Sequence, residues 1–258
     1  MRTLLSVLIA AIVVVALASC GGEEPAAPTG YAPDQTSEAY AYVHGGYVGK
    51  AVVETDGEGE LSATLDEAFL PHTLAVVDLE SDEWNEDNTV YYMQRGNEVR
   101  VAKYVSYDGT DYVGSTVGEA LVYVEADEDG EPAGNVGLEK SILRNQRTMA
   151  SYFNGIQDGA FAVYTEFGGE PETVTTTSYG GLTKADSNYW DAEPGWKGNM
   201  EAIQEAVAEH GTGYKFNELN QNDEGTWQLA DAVTGATLSD FPDYFNLIQN
   251  AAGRLDLE

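Results

Sequence analysis

Short β-prone runs, separated by tight turns rich in glycine and aspartate, occupy residues 40–135 and limit what this chain can fold into. Residues 47–55 form one such run, residues 56–60 supply a turn, and residues 61–65 alternate like the returning strand of a hairpin. Further strands are predicted at residues 89–94, 98–107 and 121–126. Because short turns join neighbouring antiparallel strands, this region is predicted to be mostly antiparallel β-structure.

Apolar residues recur at helical spacing in three later segments. Residues 138–157 carry apolar side chains with lysine and arginine between them, which predicts one amphipathic helix. Residues 199–210 predict a second helix that Asn199 caps and Gly211 ends. Residues 241–252 predict a third, with a proline in its first turn.

A second hairpin is predicted between the first two helices, from residues 160–166 and 173–178. It loosely echoes the first hairpin, which suggests two related hairpin-plus-helix units. The predicted fold class is therefore α+β, with antiparallel β-hairpins or a sheet packed against amphipathic helices.

The N-terminal residues predict an export signal. An uncharged apolar run over residues 4–18 follows Met1-Arg2 and is too short to span a bilayer comfortably. It ends in Leu-Ala-Ser-Cys20, which resembles a bacterial lipobox and holds the only cysteine of the 258 residues. We expect residues 1–19 to be a lipoprotein signal peptide and Cys20 to be the acylated anchor. An ordinary signal peptide with a stray cysteine is the alternative.

Composition divides the mature chain further. Residues 20–38 are rich in Gly, Pro, Ala and acid, as expected for the lipidated cysteine and a flexible tether. A β-rich unit is predicted at residues 39–135 and a second domain at residues 136–258. The location expected is the cell envelope, on the outer face of an inner membrane or on an outer membrane or cell surface.

Charge and ligand chemistry exclude several function classes. A formal charge of −32, from 44 acids against 12 bases, makes nucleic acid an unexpected partner. Solubility explains this charge, and steering of a basic redox partner is the alternative. His44, His72 and His210 lie far apart in the sequence, so no metal site is predicted. Redox chemistry in this chain would need an organic cofactor.

One turn in the second domain has the character of a site. Residues 234–237, Thr-Gly-Ala-Thr, precede the last helix, where backbone amides and hydroxyls can face an anion such as phosphate. Gly235 permits close backbone approach. A simple helix N-cap by Thr237 or Ser239 is the alternative.

The wider segment resembles the flavinylation motif of FMN-binding domain proteins, Asp-x-x-(Ser/Thr)-Gly-Ala-Thr. That family includes subunits of the sodium-pumping NADH:quinone oxidoreductase and of the Rnf complex, and surface lipoproteins of extracellular electron transfer. Its FMN transferase moves FMN from FAD onto the last threonine. The resemblance implies Thr237 as the covalent FMN attachment residue, and the other positions that match the motif are Asp231, Thr234, Gly235 and Ala236.

The loop that contacts the flavin ring in this family differs here. A Glu-Thr-Pro-Gly-like sequence is common in the family, and residues 179–184, Tyr-Gly-Gly-Leu-Thr-Lys, stand in its place. By this resemblance, Leu182 and Thr183 are candidate cofactor contacts. The candidates for stacking on the ring are Tyr179, Trp190, Trp196 and Trp227.

The resemblance implies a surface-anchored flavoprotein that relays electrons outside the cytoplasm. FMN transferase is the expected maturation partner, the membrane is reached through the lipid anchor, and the redox donor and acceptor are unknown. No catalytic residue is assigned, since a carrier is favoured over an enzyme with its own substrate. The alternatives are a non-redox surface lipoprotein, such as a binding module or adhesin, and a flavin-dependent extracellular reductase.

Overall fold

The computed structural model describes residues 30–94, 96–229 and 232–257. The predicted signal peptide, the Cys20 anchor and the first part of the tether lie outside these residues, as does Asp231. Within them, antiparallel sheets pack against helices, so the α+β fold class is confirmed.

A three-stranded antiparallel sheet begins the fold, with β1 (Thr36–Val43), β2 (Tyr47–Thr55) and β3 (Leu61–Phe69) in that order. The predicted hairpin is confirmed as β2 and β3. However, β3 continues past Leu65 to Phe69, because Glu67 and Phe69 keep the alternation and are buried. Strand β1 forms one edge of this sheet and was not predicted from the sequence.

The strands that follow are β4 (Thr89–Gln94), β5 (Asn97–Ala102), β6 (Tyr104–Tyr107), β7 (Thr110–Val117), β8 (Ala120–Ala126), β9 (Pro132–Gly137), β10 (Phe161–Tyr164) and β11 (Glu172–Thr173). Strands β4 and β5 pair as a separate hairpin, and the second sheet has the strand order β11-β10-β6-β7-β8-β9. The prediction of one strand over residues 98–107 is wrong, because the chain changes sheets at Lys103. There the Lys103 amide donates to Asn88 O at 2.9 Å and its carbonyl accepts from the Gly114 amide at 2.7 Å.

The second predicted hairpin is present but short. Strand β10 pairs with β11 only through Ala162 and Val163, opposite Thr173 and Glu172. On its other side β10 pairs with β6, which joins it to the larger sheet. Residues 174–178, predicted as strand, are irregular in the structure.

The single helix predicted over residues 138–157 is wrong, since two helices occupy this segment. Asn145 breaks it by forming a capping box with Thr148, whose amide bonds to the Asn145 side chain while the Thr148 hydroxyl bonds to the Asn145 amide. The helices are α1 (Pro71–Leu74), α2 (Leu138–Ile142), α3 (Gln146–Gln157), α4 (Gly195–His210) and α5 (Phe241–Ala252).

Helix α5 has the predicted bounds, whereas α4 begins one turn before the predicted cap. Asn199 is therefore inside α4, fully buried, rather than at its N-cap. A small sheet, β12 (Leu219–Gln221), β13 (Trp227–Leu229) and β14 (Ala232–Val233), connects α4 to α5. No helix in the described part of the chain is long and apolar enough to cross a membrane.

Helices cover both faces of the first sheet. Neighbouring strand residues point to opposite faces. On one face a Cβ at Gly49 would lie 3.0 Å from Leu247 of α5, and on the other Lys50 Nζ lies 5.6 Å from the Phe153 ring centroid of α3. Helices from the second half of the chain thus share a core with strands from the first half. The division at residue 136 stays a prediction.

Gly49 is expected to tolerate no side chain. A Cβ added there would lie 2.8 Å from Val43 Cγ2 and 3.0 Å from Leu247 Cδ2, both in buried side chains. We predict that Gly49→Ala lowers the free energy of unfolding by about 1–3 kcal/mol, as overpacking does. Gly46→Ala is the control, since nothing lies within 4 Å of its added Cβ. Urea unfolding that shows equal effects in the two variants would contradict this packing.

Candidate functional site

The Thr-Gly-Ala-Thr turn is bonded to the backbone of Trp227. The Thr234 amide and Oγ1 each donate to Trp227 O at 2.9 Å, and the Trp227 amide donates to Ala236 O at 2.8 Å. Thr234 Oγ1 also accepts from the Ala236 amide at 3.1 Å. Gly235 has a φ of +81°, a left-handed conformation that favours glycine. The turn therefore has one well-defined backbone conformation.

The Trp227 side chain joins this turn to the last helix. Its indole Nε1 donates to Leu238 O at 2.6 Å. Its ring stacks on Phe241, the first residue of α5, with a centroid distance of 5.2 Å and an interplanar angle of 12°. Trp227, a predicted stacking partner for a flavin ring, is already stacked on the protein's own Phe241.

Asn199 of α4 fixes the turn from the other side. Its Oδ1 accepts from the Thr237 amide at 2.7 Å and from the Leu238 amide at 3.2 Å, while its Nδ2 donates to Gly195 O at 2.6 Å. Sequence reasoning missed this role. The sequence did contain a signal: Asn199 lies four residues before the apolar Ile203, on the same face of the helix, where a polar side chain needs a partner.

The Thr237 side chain is exposed beyond this scaffold. Its Oγ1 donates to Asn199 Oδ1 at 3.3 Å, and the residue as a whole is exposed. The alternative of a helix N-cap at Thr237 or Ser239 is wrong, because the N-cap of α5 is Asp240. Asp240 Oδ2 accepts from Ser239 Oγ at 3.0 Å and also contacts His44 Nδ1.

Four amides at this turn are closed to an outside anion, although the sequence suggested that amides there could face one. Those of Thr234, Ala236, Thr237 and Leu238 all donate to acceptors within the protein. These amides are therefore not available to a freely dissociating phosphate. A covalent bond to Thr237 Oγ1 would need none of them.

A cavity of about 350 Å³ opens beside Leu238, the residue after Thr237. Its walls are mostly aromatic, and they come from three stretches of the chain, at residue 44, residues 184–196 and residues 238–244. The lining residues are His44, Lys184, Tyr189, Trp190, Trp196, Leu238 and Tyr244. Two of the predicted stacking residues, Trp190 and Trp196, are among them.

A buried carboxylate lies behind this cavity. Glu67 Oε1 accepts from Trp196 Nε1 at 2.7 Å and from the Tyr244 hydroxyl at 2.5 Å, and Oε2 lies 2.7 Å from Lys184 Nζ. Burial, with the charge of Glu67, holds the pKa of Tyr244 far above its usual range. The Lys184 ammonium also lies 3.5 Å from the Tyr47 ring centroid. None of these contacts was predicted from the sequence.

A larger groove of about 620 Å³ shares His44 and Tyr189 with that cavity. Tyr179, another predicted stacking residue, lines it and stacks on Phe69 at 5.3 Å. In the same groove His72 Nδ1 bonds to Glu139 Oε1 at 2.7 Å. The two cavities therefore adjoin across a wall of two shared side chains.

The predicted ring contacts Leu182 and Thr183 lie along the edge of β3. Phe69 donates its amide to Leu182 O at 3.2 Å, and the fully buried Thr183 hydrogen-bonds to the half-buried Asp66. Lys184, the next residue, lines the smaller cavity. A flavin contact by Leu182 or Thr183 stays a prediction, as do the roles of Asp231 and Cys20, which lie outside the described residues.

In the described ranges no group of three or more His, Cys, Asp or Glu side chains is placed to hold a metal ion. Comparisons with protein-family models, with curated proteins and with solved structures find no match to this chain. The family resemblance therefore depends on the motif itself and stays a hypothesis.

Removal of the Asn199 amide should loosen the Thr237 turn. We predict that Asn199→Ala lowers the free energy of unfolding by about 1–3 kcal/mol, because the Thr237 and Leu238 amides lose a buried acceptor. Hydrogen exchange at those two amides should accelerate. Asn220→Ala, at an exposed position, is the control. Unchanged exchange in Asn199→Ala would contradict the role of Asn199.

Asp66 should make stability depend on pH. Burial raises its pKa, although bonds from Ala185, Thr183 and Glu67 oppose the shift. Because the pKa is raised on folding, the folded protein holds the Asp66 proton more tightly than the unfolded chain does. The stability that this proton provides is present at low pH and is lost as pH rises through the folded-state pKa. Asp66→Asn should therefore gain stability relative to wild type between about pH 4 and pH 7. A constant difference between the two unfolding curves across that range would contradict this.

Proposed function

We propose that this chain carries FMN covalently on Thr237 and relays electrons outside the cytoplasm. The observation that carries the proposal is the exposed residue Thr237 on a turn whose backbone is fixed by Trp227 and Asn199. A modifying enzyme needs an accessible acceptor in a defined conformation, and this turn offers one. The motif match at Thr234, Gly235 and Ala236 adds to that argument.

The cavity next to the turn fits the group. The cavity beside Leu238 has a volume of about 350 Å³ and shares two lining residues with the groove of about 620 Å³, and both volumes lie within the roughly 300–1,000 Å³ typical of ligand sites. Their aromatic walls suit a planar ring. When bound, the isoalloxazine supplies reversible redox chemistry, and the protein contributes attachment and an electrostatic environment.

The attachment step explains why a separate enzyme is required. Thr237 Oγ1 bonds to the phosphorus of the FMN half of FAD, the phosphoanhydride bond breaks, AMP leaves and the hydroxyl proton is lost. Among the described residues, the hydrogen-bond partner of Oγ1 is the neutral amide of Asn199, which is a poor base. An FMN transferase would therefore supply the base and the catalytic groups.

Covalent attachment also fits the expected location. A protein outside the cytoplasm would lose a freely dissociating cofactor by dilution, and the internally bonded amides of the turn offer little to hold a free phosphate. A lipid anchor at Cys20 would keep the carrier at the cell envelope. Its net charge of −32 favours a basic protein over nucleic acid as its redox partner.

A non-redox binding module is the second candidate. The observation that favours it is the groove of about 620 Å³, in which Tyr42 and Tyr179 are substantially exposed. Exposed aromatic side chains around a concavity often mark a ligand site. In this alternative Thr237 carries nothing, so the two candidates differ in the mass of the protein. A flavin-dependent reductase would differ from a carrier by steady turnover of a defined acceptor.

Intact mass should detect the modification. We predict that the full chain, made with an FMN transferase and FAD, gains the mass of one FMN less one water. Thr237→Ala should abolish the gain, because it removes the acceptor oxygen. Ser239→Ala should retain it, since that exposed hydroxyl is two residues away. An unshifted wild-type mass under these conditions would overturn the proposal.

A further inference from the structure

The cavity beside Leu238 is organised by one buried side chain. Glu67 is fully buried and contacts Lys184, Trp196 and Tyr244, three of the seven residues that line the cavity. These three come from the loop after β11, from α4 and from α5. A single carboxylate therefore fixes side chains from three segments around one space.

Stability alone does not account for this arrangement. A buried ion pair costs desolvation that its mutual attraction often fails to offset, and an apolar replacement is frequently as stable. Lys184 is 1% exposed and Glu67 is fully buried, so both charges carry that cost. Such a network specifies the positions of its members, which is the requirement of a preorganised binding site.

The two charges are placed unequally about the cavity. Lys184 lines it, whereas Glu67 stands behind Lys184, outside the described lining. None of the described lining residues is Asp or Glu. The ammonium lies 4.3 Å from the centroid of the Tyr189 ring, itself a wall of the cavity. A ligand here would therefore meet a positive charge more closely than a negative one.

We propose that this cavity is the binding site for a planar ring that gains negative charge on reduction, and that Lys184, positioned by Glu67, is its charge partner. The inference rests on the proposed function, in which that ring is the isoalloxazine of FMN on Thr237. The smaller cavity is favoured because Leu238 lines it, whereas Glu139 brings a carboxylate to the larger groove. Reduction adds negative charge to the ring, so a nearby ammonium raises its reduction potential.

This local effect opposes that of the acidic surface. The chain's net charge of −32 disfavours a more negative ring, but surface charges are screened over about 8 Å at physiological ionic strength. Lys184 acts at close range in a poorly solvated site, where Coulomb interactions are stronger. The potential should therefore depend on this one buried pair more than on any single surface charge.

Redox titration of the FMN-loaded full chain tests the inference. The double variant Lys184→Met/Glu67→Gln removes both charges, while the amide oxygen of the new side chain can still accept from Trp196 and Tyr244. We expect the ratio of reduced to oxidised flavin at a fixed potential to fall about tenfold, which is about 30 mV for a two-electron couple. Lys140→Met removes an exposed lysine and should shift the potential much less.

Glu67→Gln alone gives a second, oppositely signed readout. This variant removes the Glu67 carboxylate from the Lys184 ammonium and should therefore raise the reduction potential. It provides the test if the double variant does not fold. If mass spectrometry shows that both variants carry FMN and neither variant changes the reduction potential, this inference is overturned and the proposed function is left intact. Wild-type protein that never gains FMN would overturn both.

Discussion

One buried amide, that of Asn199, connects the two parts of the molecule on which the site depends. Its Oδ1 receives the amides of Thr237 and Leu238, and its Nδ2 bonds to Gly195 at the beginning of α4. The same helix carries Trp196, which bonds to Glu67 on the first sheet. The position of Thr237 is therefore set relative to both the sheet and the cavity by α4.

Much of the fold could be predicted from local patterns. The first hairpin and the helix at residues 241–252 follow from alternation, turn residues and helical periodicity, which are local properties. The failures occurred where long-range contacts or a local cap override a continuous pattern. The chain changes sheets at Lys103, and Asn145 and Thr148 interrupt an apolar periodicity that would otherwise suit one helix.

The candidate site was predictable in part, for a similar reason. The motif identified Thr237, but the environment of Thr237 comes from residues distant in sequence, such as Asn199 and Glu67, whose roles exist only after folding. A lone asparagine beside a predicted helix start is usually a cap, so Asn199 was misassigned. Net charge gave no sign of the buried lysine at the cavity wall, because it describes the whole chain and not one position.

The central claim, that Thr237 carries the flavin, is tested most directly by peptide mapping of protein made with FMN transferase and FAD. Trypsin cleaves after Lys215 and Arg254 and leaves the whole turn in one fragment. We predict that fragmentation of this peptide places a single FMN phosphoester on Thr237, between Ala236 and Leu238. An FMN located on Thr234 or Ser239, or an unmodified fragment, would contradict the account.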